Sequence, residues 1–264
     1  MKLFIMTDLE GASGVVGNKD TLDPRTGRKF SEAVANLTHD VNAAIEGALA
    51  GGAEEITVLD GDGRRFTLLR DQLNPRANLL QGVRQGELAG FVGGYDAMFA
   101  IGVHAMAGTP KGVLNHTFSS VIIHNLWLNG RLCGELGFWA AWAGVEGVPT
   151  VLVAGDRSAT EEARAFIPGV ETVAVKEGLS RYYALCYPAA QVAEMLRQGA
   201  KHALQRRAEI PIFRPGQPFE LRIEFTDSHL AGHVATRPGV TAVDGRTVQA
   251  TGNSLGALMS LLWP

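Results

Sequence analysis

Two acids stand one residue apart where the first apolar run of the chain stops, Asp8 and Glu10 in MKLFIMTDLEGASG. The arrangement recurs as Asp60 and Asp62 in VLDGDG. In an extended segment residues i and i+2 point to the same side, so each pair aims two carboxylates at one spot. Such a pair is tolerated if one acid is protonated, if both are solvated, or if a cation joins them. Acids at strand ends are common and the first pair alone decides nothing, but two pairs of one design favour a cation. The neighbouring glycines would let backbone approach a ligand closely.

Further ligand types follow at apolar boundaries. His104 ends the run AMFAIGVHA and, beside carboxylates, has an obvious metal partner, although a packed histidine is the ordinary reading of such a position. Glu135 in CGELG opens an apolar helix, where the helix dipole alone would also favour an acid. His116 in GVLNHTF completes the set, a histidine satisfied by backbone being the alternative. His229 and His233 are four apart and would line one helix face, but beyond Asp227 they have no third partner, which makes a second metal site there a weak reading. Cys133 and Cys186 are the only cysteines, too few for a disulfide framework or a four-cysteine zinc site, and Cys133 reads as a small buried residue.

The elements that must position these residues follow from periodicity. Residues 2–7 read as a buried strand, then apolar residues at helical spacing from Val34 to Leu49 predict a helix with Ser31 as N-cap and Gly51-Gly52 as its end. EEITVLD, AMFAIGV and PTVLVAGD read as further strands, the last running into a helix at RSATEEARAF. Each ends on polar residues. In open parallel sheets the ligand crevice lies beyond the carboxyl ends of the strands, so Asp8, Asp60, Asp62, His104 and Asp156 are expected on one rim. SSVIIHNLWLNGRLCGELG predicts a hairpin turning at Asn129-Gly130, expected as an antiparallel insertion that makes the sheet mixed. From Pro188 a long helix, a break at RPGQP and the alternating strand FELRIEF change the character of the chain.

The expected fold class is therefore α/β, a three-layer α/β/α arrangement with a mixed, mostly parallel sheet, plus a smaller C-terminal α+β domain. Residues 1–188 would form the metal-binding catalytic α/β domain and residues 189–264 the smaller α+β domain. A chain of 264 residues can bury a large core and a polar site within it. Its net charge of −3 carries no basic, aromatic-interleaved run, so nucleic acid is not an expected partner. The opening residues read as neither a signal peptide nor a spanning helix, so no membrane partner and a cytoplasmic location are expected.

Four segments, DLEGASG, GVHAMAGTPKGVLNHTF, NGRLCGELG and GVPTVLVAGD, resemble in order and spacing the zinc D-aminopeptidase family of metallopeptidases. The likeness continues through IPGVETVAVKEGLSR and covers most of residues 1–190. The resemblance implies two zinc ions, with Asp8 bridging both, Glu10, His104 and Glu135 as further ligands, and His116 as the catalytic histidine. It also implies a homo-oligomer, a decamer of two pentameric rings around an inner chamber, acting on small peptides.

One position departs from the family's pattern. A histidine is expected where this chain has Asp62, in Asp60-Gly61-Asp62. Two divalent ions bring about four positive charges, which four carboxylates would cancel before any hydroxide binds. A carboxylate in place of imidazole also moves preference from zinc toward manganese or another oxygen-favouring ion. Because Asp is shorter than His, Asp62 reaches an ion only if its backbone moves inward; otherwise one metal position is weak or empty. The expected activity is a metal-dependent aminopeptidase cleaving small peptides with a free N-terminal residue, the D configuration being one option. The alternatives are a catalytically impaired relative that binds or assembles, and a metal-dependent phosphatase with Asp8 as nucleophile and Lys111 as phosphate anchor.

Overall fold

The computed structural model describes residues 1–18, 21–64, 66–82 and 93–264. Strand β1 (Lys2–Thr7) is buried on both faces apart from its first residue, as expected of a central strand in a sheet covered on two sides. Helix α1 (Phe30–Ala50) returns the chain to β2 (Glu55–Asp60), which pairs in parallel with β1, and β3 (Ala77–Leu80) extends that side. Strand β4 (Ala97–Val103) then crosses back to the other flank of β1. The hairpin β5 (Ile123–Leu128) and β6 (Arg131–Cys133) leads into α2 (Glu135–Val145). The main sheet resumes with β7 (Thr150–Asp156), α3 (Arg157–Phe166), β8 (Glu171–Ser180) and β9 (Tyr183–Cys186). Helix α4 (Ala189–Gln205), β10 (Phe219–Phe225), α5 (Ser228–Ala235), β11 (Thr241–Ala242), β12 (Thr247–Gly252) and α6 (Leu255–Leu262) complete the chain.

The main sheet has the order β3-β2-β1-β4-β7-β8-β9 and is parallel except for β9. Helices α1 and α4 pack together over one face, with Leu3 and Ile5 beneath them, while α2 and α3 lie over the other, where Phe4, Met6 and Met98 meet Ala143. This is the three-layer arrangement expected from the sequence. A second, antiparallel sheet runs β11-β12-β10-β5-β6.

Two details differ from the sequence reading. The hairpin at Asn129-Gly130 forms, with φ of 50° and 75° at the two turn residues, but it belongs to the second sheet by pairing with β10. What makes the main sheet mixed is β9. Helix α1 begins at Phe30 with Lys29 at its N-cap and no side-chain cap, so Ser31 lies inside the first turn. Helix α4, beyond residue 188, lies against α1, while the β5-β6 hairpin, well before it, lies in the second sheet. Pairing and packing partners are thus set by apolar faces rather than by chain order. No described helix is long and apolar enough to cross a membrane.

The α1–α4 contact is close enough to require glycine. A Cβ at Gly47 would lie 2.2 Å from the Arg197 carbonyl oxygen, a backbone atom that cannot swing aside. Helix propensity alone would favour Gly47→Ala by up to ~1 kcal/mol, whereas overpacking costs about 1–3 kcal/mol or more. The variant is expected to unfold at lower urea concentration than the parent, while Gly232→Ala, in open space on α5, is expected to unfold at the same or higher concentration.

Candidate metal centre

The connection from β1 runs to β2 and β3 on one side and later to β4 on the other, so the strand order reverses between β1 and β4. Loops leaving the two strands there diverge and open a crevice. Asp8 leaves β1 and His104 leaves β4 at that point. The backbone pairing continues past the strand ends, with the Asp8 amide donating to the Ile101 carbonyl (3.0 Å) and the Gly11 amide to that of Gly102 (2.7 Å). A Cβ on Gly11 would sit 1.8 Å from the Val103 carbonyl oxygen, and one on Gly61 would sit 2.5 Å from that of Thr7. These glycines serve backbone-to-backbone contact, not the approach of a ligand expected from the sequence.

The DLEGASG loop is tied down at both its sides. The Ser13 amide and hydroxyl each donate to Asp40 of α1 at 2.7 Å. Fully buried Lys176 on β8 donates from Nζ to the carbonyls of Glu10 (2.6 Å), Ala12 (2.7 Å) and Val15 (2.6 Å). Burial pushes the Lys176 pKa down to about 8, against the pull of Asp156, but three acceptor carbonyls suit the three protons of an ammonium. Nothing in the sequence reading singled out Lys176. Its signal was the one basic residue in the stretch VETVAVKEG.

Around the crevice the predicted residues come together. His104 Nε2 lies 3.1 Å from Glu135 Oε1 and 3.3 Å from Asp8 Oδ2, and His116 Nε2 lies 3.6 Å from Glu135 Oε1. The two imidazoles stack with centroids 3.9 Å apart. Each ring's Nδ1 sits on a backbone carbonyl, Ala105 for His104 (3.0 Å) and Leu114 for His116 (2.8 Å). A carbonyl only accepts, so both Nδ1 atoms carry the proton and the Nε2 lone pairs of the neutral rings face carboxylates. His104 Nε2 is buried without a well-formed hydrogen bond despite its two oxygen neighbours. Lone pairs facing carboxylates repel unless a cation lies between them, and donation from Nδ1 to an outer acceptor is the usual orientation of a ligating histidine. Among the described residues, two sets offer converging ligand atoms, His104 with His116 and Glu135, and Asp8 with Glu10 and His104.

Electrostatics argue the same way. Burial raises the Asp8 carboxyl well above its ordinary range, with Glu10 adding to the shift. Burial also opposes ionisation of Glu10, but Arg64 outweighs it and holds that carboxyl low. Desolvation disfavours a charged His104, yet Glu135 and Asp8 raise its pKa well above normal, while burial and His104 lower that of His116. With both imidazoles neutral and Asp8, Glu10, Asp62 and Glu135 all ionised, one guanidinium would leave three negative charges uncompensated; without a metal, protonation must relieve them, which is why the pKa values of Asp8, Asp62 and His104 are raised. A bound divalent cation fits this donor set and this charge.

Three acids on the rim behave differently. Both oxygens of Asp62 are taken by Arg64, Oδ1 by its backbone amide (2.6 Å) and Oδ2 by Nη1 (2.7 Å), while Nη2 reaches Glu10 Oε1 at 2.8 Å. The arginine stands two residues beyond Asp62 in GDGRR. Asp60 turns away from the centre to accept from the Thr67 amide and hydroxyl and from Gln81. Asp156 caps α3 through the Ala159 amide and accepts from the Val113 amide. The strand ends do share a rim, but Asp60 and Asp156 spend their carboxylates on loops. His229 and His233 lie on α5 in neither converging set. Cys133 is buried, its thiol pushed up to about 12 by desolvation, as suits a packed residue.

The segment bearing His116 is held in an uncommon conformation. Lys111, Leu114 and Phe118 all have φ between 54° and 59°. For side chains of this size the left-handed region costs of order 1 kcal/mol each. The Leu114 amide donates to the Arg181 carbonyl and the Phe118 amide to Glu135 Oε1 (2.6 Å), so neighbouring elements impose the conformation. His116 is 15 % exposed against 1 % for His104, so of the two rings it is the one open to the crevice. It lines a cavity of about 560 Å³ with Asp8, Glu10, Arg64, Glu135 and Tyr182. A second cavity of about 600 Å³ meets the first at Phe118 and Glu135 and is walled by Trp139, Arg237 and Trp263.

A family model described as D-aminopeptidase matches residues 1–263. The chain belongs to the D-aminopeptidase family. A D-aminopeptidase of Bacillus subtilis is 33% identical over 252 residues, covering 94% of this chain and 89% of that protein. The solved structure of the zinc-dependent D-aminopeptidase DppA from Bacillus subtilis, described as a self-compartmentalizing protease, superposes with a TM-score of 0.93 at 31% identity, covering 99% of this chain and 96% of that one. The family fold is thus retained across nearly the whole chain, including the second sheet and the C-terminal helices.

One buried acid beside the centre makes a pH prediction. Glu162 accepts from the Met106 amide (2.8 Å), bracing the loop after His104, while its other oxygen has no partner. Burial pushes its pKa up to about 7 from 4.5. The folded chain therefore keeps a proton that the unfolded chain releases, and this group's contribution to stability falls as pH rises from 4.5 to about 7. Glu162→Gln is expected to match the parent near pH ~5 and to be more stable by about 1–3 kcal/mol near pH ~8, read from urea denaturation at the two pH values.

Proposed function

We propose that the chain is a metal-dependent aminopeptidase, with zinc as the metal, that hydrolyses small peptides carrying a free N-terminal residue, including D-residues. The observation that carries this reading is the pair of Nε2 lone pairs, each fixed by its Nδ1 bond to a carbonyl, turned onto carboxylates in a crevice at the sheet's switch point. Asp8, Glu10, His104 and Glu135 would hold metal, with Asp62 as a further acid behind Arg64. When bound, such a metal supplies Lewis acidity toward a peptide carbonyl and toward water.

The chain's own residues account for positioning and proton transfer. His116 stays neutral near pH ~7 because burial lowers its pKa, so its Nε2 can accept a proton from a nucleophilic water. Glu135, 3.6 Å away, stabilises the imidazolium that results, and the same nitrogen can return the proton to the leaving amine. The Nδ1–H bond to Leu114 holds the ring in place through both transfers. Acids lining the cavity suit the ammonium of a free N-terminus, and a volume of about 560 Å³ has the size of a small-ligand site rather than of a groove for a folded protein.

We also propose a homo-oligomer, a decamer of two pentameric rings enclosing the sites. The β8-β9 hairpin at the edge of the main sheet exposes Leu179, Tyr182, Tyr183 and Leu185, each at 49–66 %, an apolar cluster that a second copy would cover. Tyr182 and Arg181 also line the catalytic cavity, so a neighbour docked there would narrow its mouth.

Protein purified without chelator is expected to release the N-terminal residue from D-alanyl dipeptides, to lose this activity in chelator, and to regain it with zinc. His116→Ala is expected to lower kcat by roughly 10²–10⁴-fold with the metal content unchanged. Retained turnover in His116→Ala would remove that residue from the chemistry. Sedimentation of Tyr183→Glu/Leu185→Glu is expected to show smaller species than the parent, and an unchanged mass would exclude the hairpin from the interface.

A further inference from the structure

Resting on the metallopeptidase reading, the geometry points to Arg64 as a guard on one of two metal positions: an ion binds tightly on the histidine side, and a second enters at Glu10 and Asp62 only when the guanidinium withdraws. On the histidine side, His104 Nε2 lies 3.1 Å from Glu135 Oε1 and 3.3 Å from Asp8 Oδ2, and among the described residues neither acid forms an ion pair with a lysine or arginine. At the other side every Asp62 oxygen already accepts a bond from Arg64, and one Glu10 oxygen accepts a third. Asp62 lies in neither converging ligand set.

A guanidinium forks its donors in a plane, which suits it to bridging two carboxylates that would otherwise repel. It therefore supplies, from within the chain, the positive charge a metal would bring. Asp62 and Arg64 together add no net charge, so exchanging the family's neutral histidine for this pair leaves the total charge of the centre where the family pattern has it. The difference is in ligand count. An ion entering beside Glu10 must displace the arginine from both acids before Asp62 can coordinate. Arg64 itself has somewhere to go, since its side chain is 26 % exposed and lines the cavity.

The test is a count of ions that does not depend on turnover. Metal-free protein titrated with zinc in a calorimeter is expected to show two steps, the second weaker than the first by roughly 10–100-fold, and protein desalted after loading is expected to retain one ion per chain by elemental analysis. Arg64→Ala is expected to retain two and to merge the steps. Arg64→Lys keeps the charge but cannot bridge both acids, and should fall between them. Because Arg64→Ala leaves buried carboxylates unpaired, it is expected to be less stable than the parent without metal and to gain more in Tm from saturating zinc. If it does not fold without metal, it is refolded in zinc and its ions counted. Two equally tight ions in the parent, or one ion in both parent and Arg64→Ala, would overturn the guard while leaving the metallopeptidase reading intact. No tight ion in any of the three proteins would overturn both.

Discussion

Repulsion among desolvated carboxylates is the constraint around which this molecule is arranged. Asp8, Glu10, Asp62 and Glu135 arrive from three different parts of the chain and are almost removed from water. Burying one unpaired carboxylate costs several kcal/mol, so four in one place require cations. One is present as Arg64. The remaining deficit suits a cation between the Nε2 atoms and the acids, the metal position proposed above, and buried bonds nearby hold the loops that carry those side chains.

That service is distributed over the fold. Lys176 on β8 and Asp40 on α1 hold the loop after β1, Glu162 on α3 holds the loop after β4, and Asp156 at the start of α3 holds the segment approaching His116. Each is a buried ionisable group bonded to backbone donors or acceptors of the segment it holds, which localises a loop more tightly than apolar contact does because the bonds are directional. The cost is a set of buried ionisable groups whose pKa values are displaced, Asp40 to about 6, Glu162 to about 7 and Lys176 to about 8. Stability in this protein is accordingly tied to pH through residues that touch no substrate.

The resemblance and the residue-level reading support one another at different resolution. Motif order in the sequence pointed to the D-aminopeptidase family, and the match over residues 1–263 places the chain in it. The Asp62 departure looked, from composition of the site alone, like an added negative charge that would neutralise two metal ions. Arg64 removes that conclusion. The pair is a self-contained ion bridge, and the question it raises is about access to a metal position rather than about the charge of the centre.

The sequence by itself determined the parallel strands, the residues at their carboxyl ends, the Asn129-Gly130 turn and the identities of the clustered acids and histidines, because these follow from local periodicity and from residue type. Only the tertiary structure decided which carboxylates face inward. Asp60 and Asp62 are two residues apart on one motif, yet the first is consumed by Thr67 and Gln81 and the second by Arg64. It also decided that the hairpin joins β10 rather than the main sheet, since a strand's partner depends on which edge and which apolar face are free once the rest has packed. Lys176 stands 166, 164 and 161 residues along the chain from the three carbonyls it holds. No local pattern encodes a contact of that separation. It exists because β8 and the end of β1 are brought to the same side of one sheet.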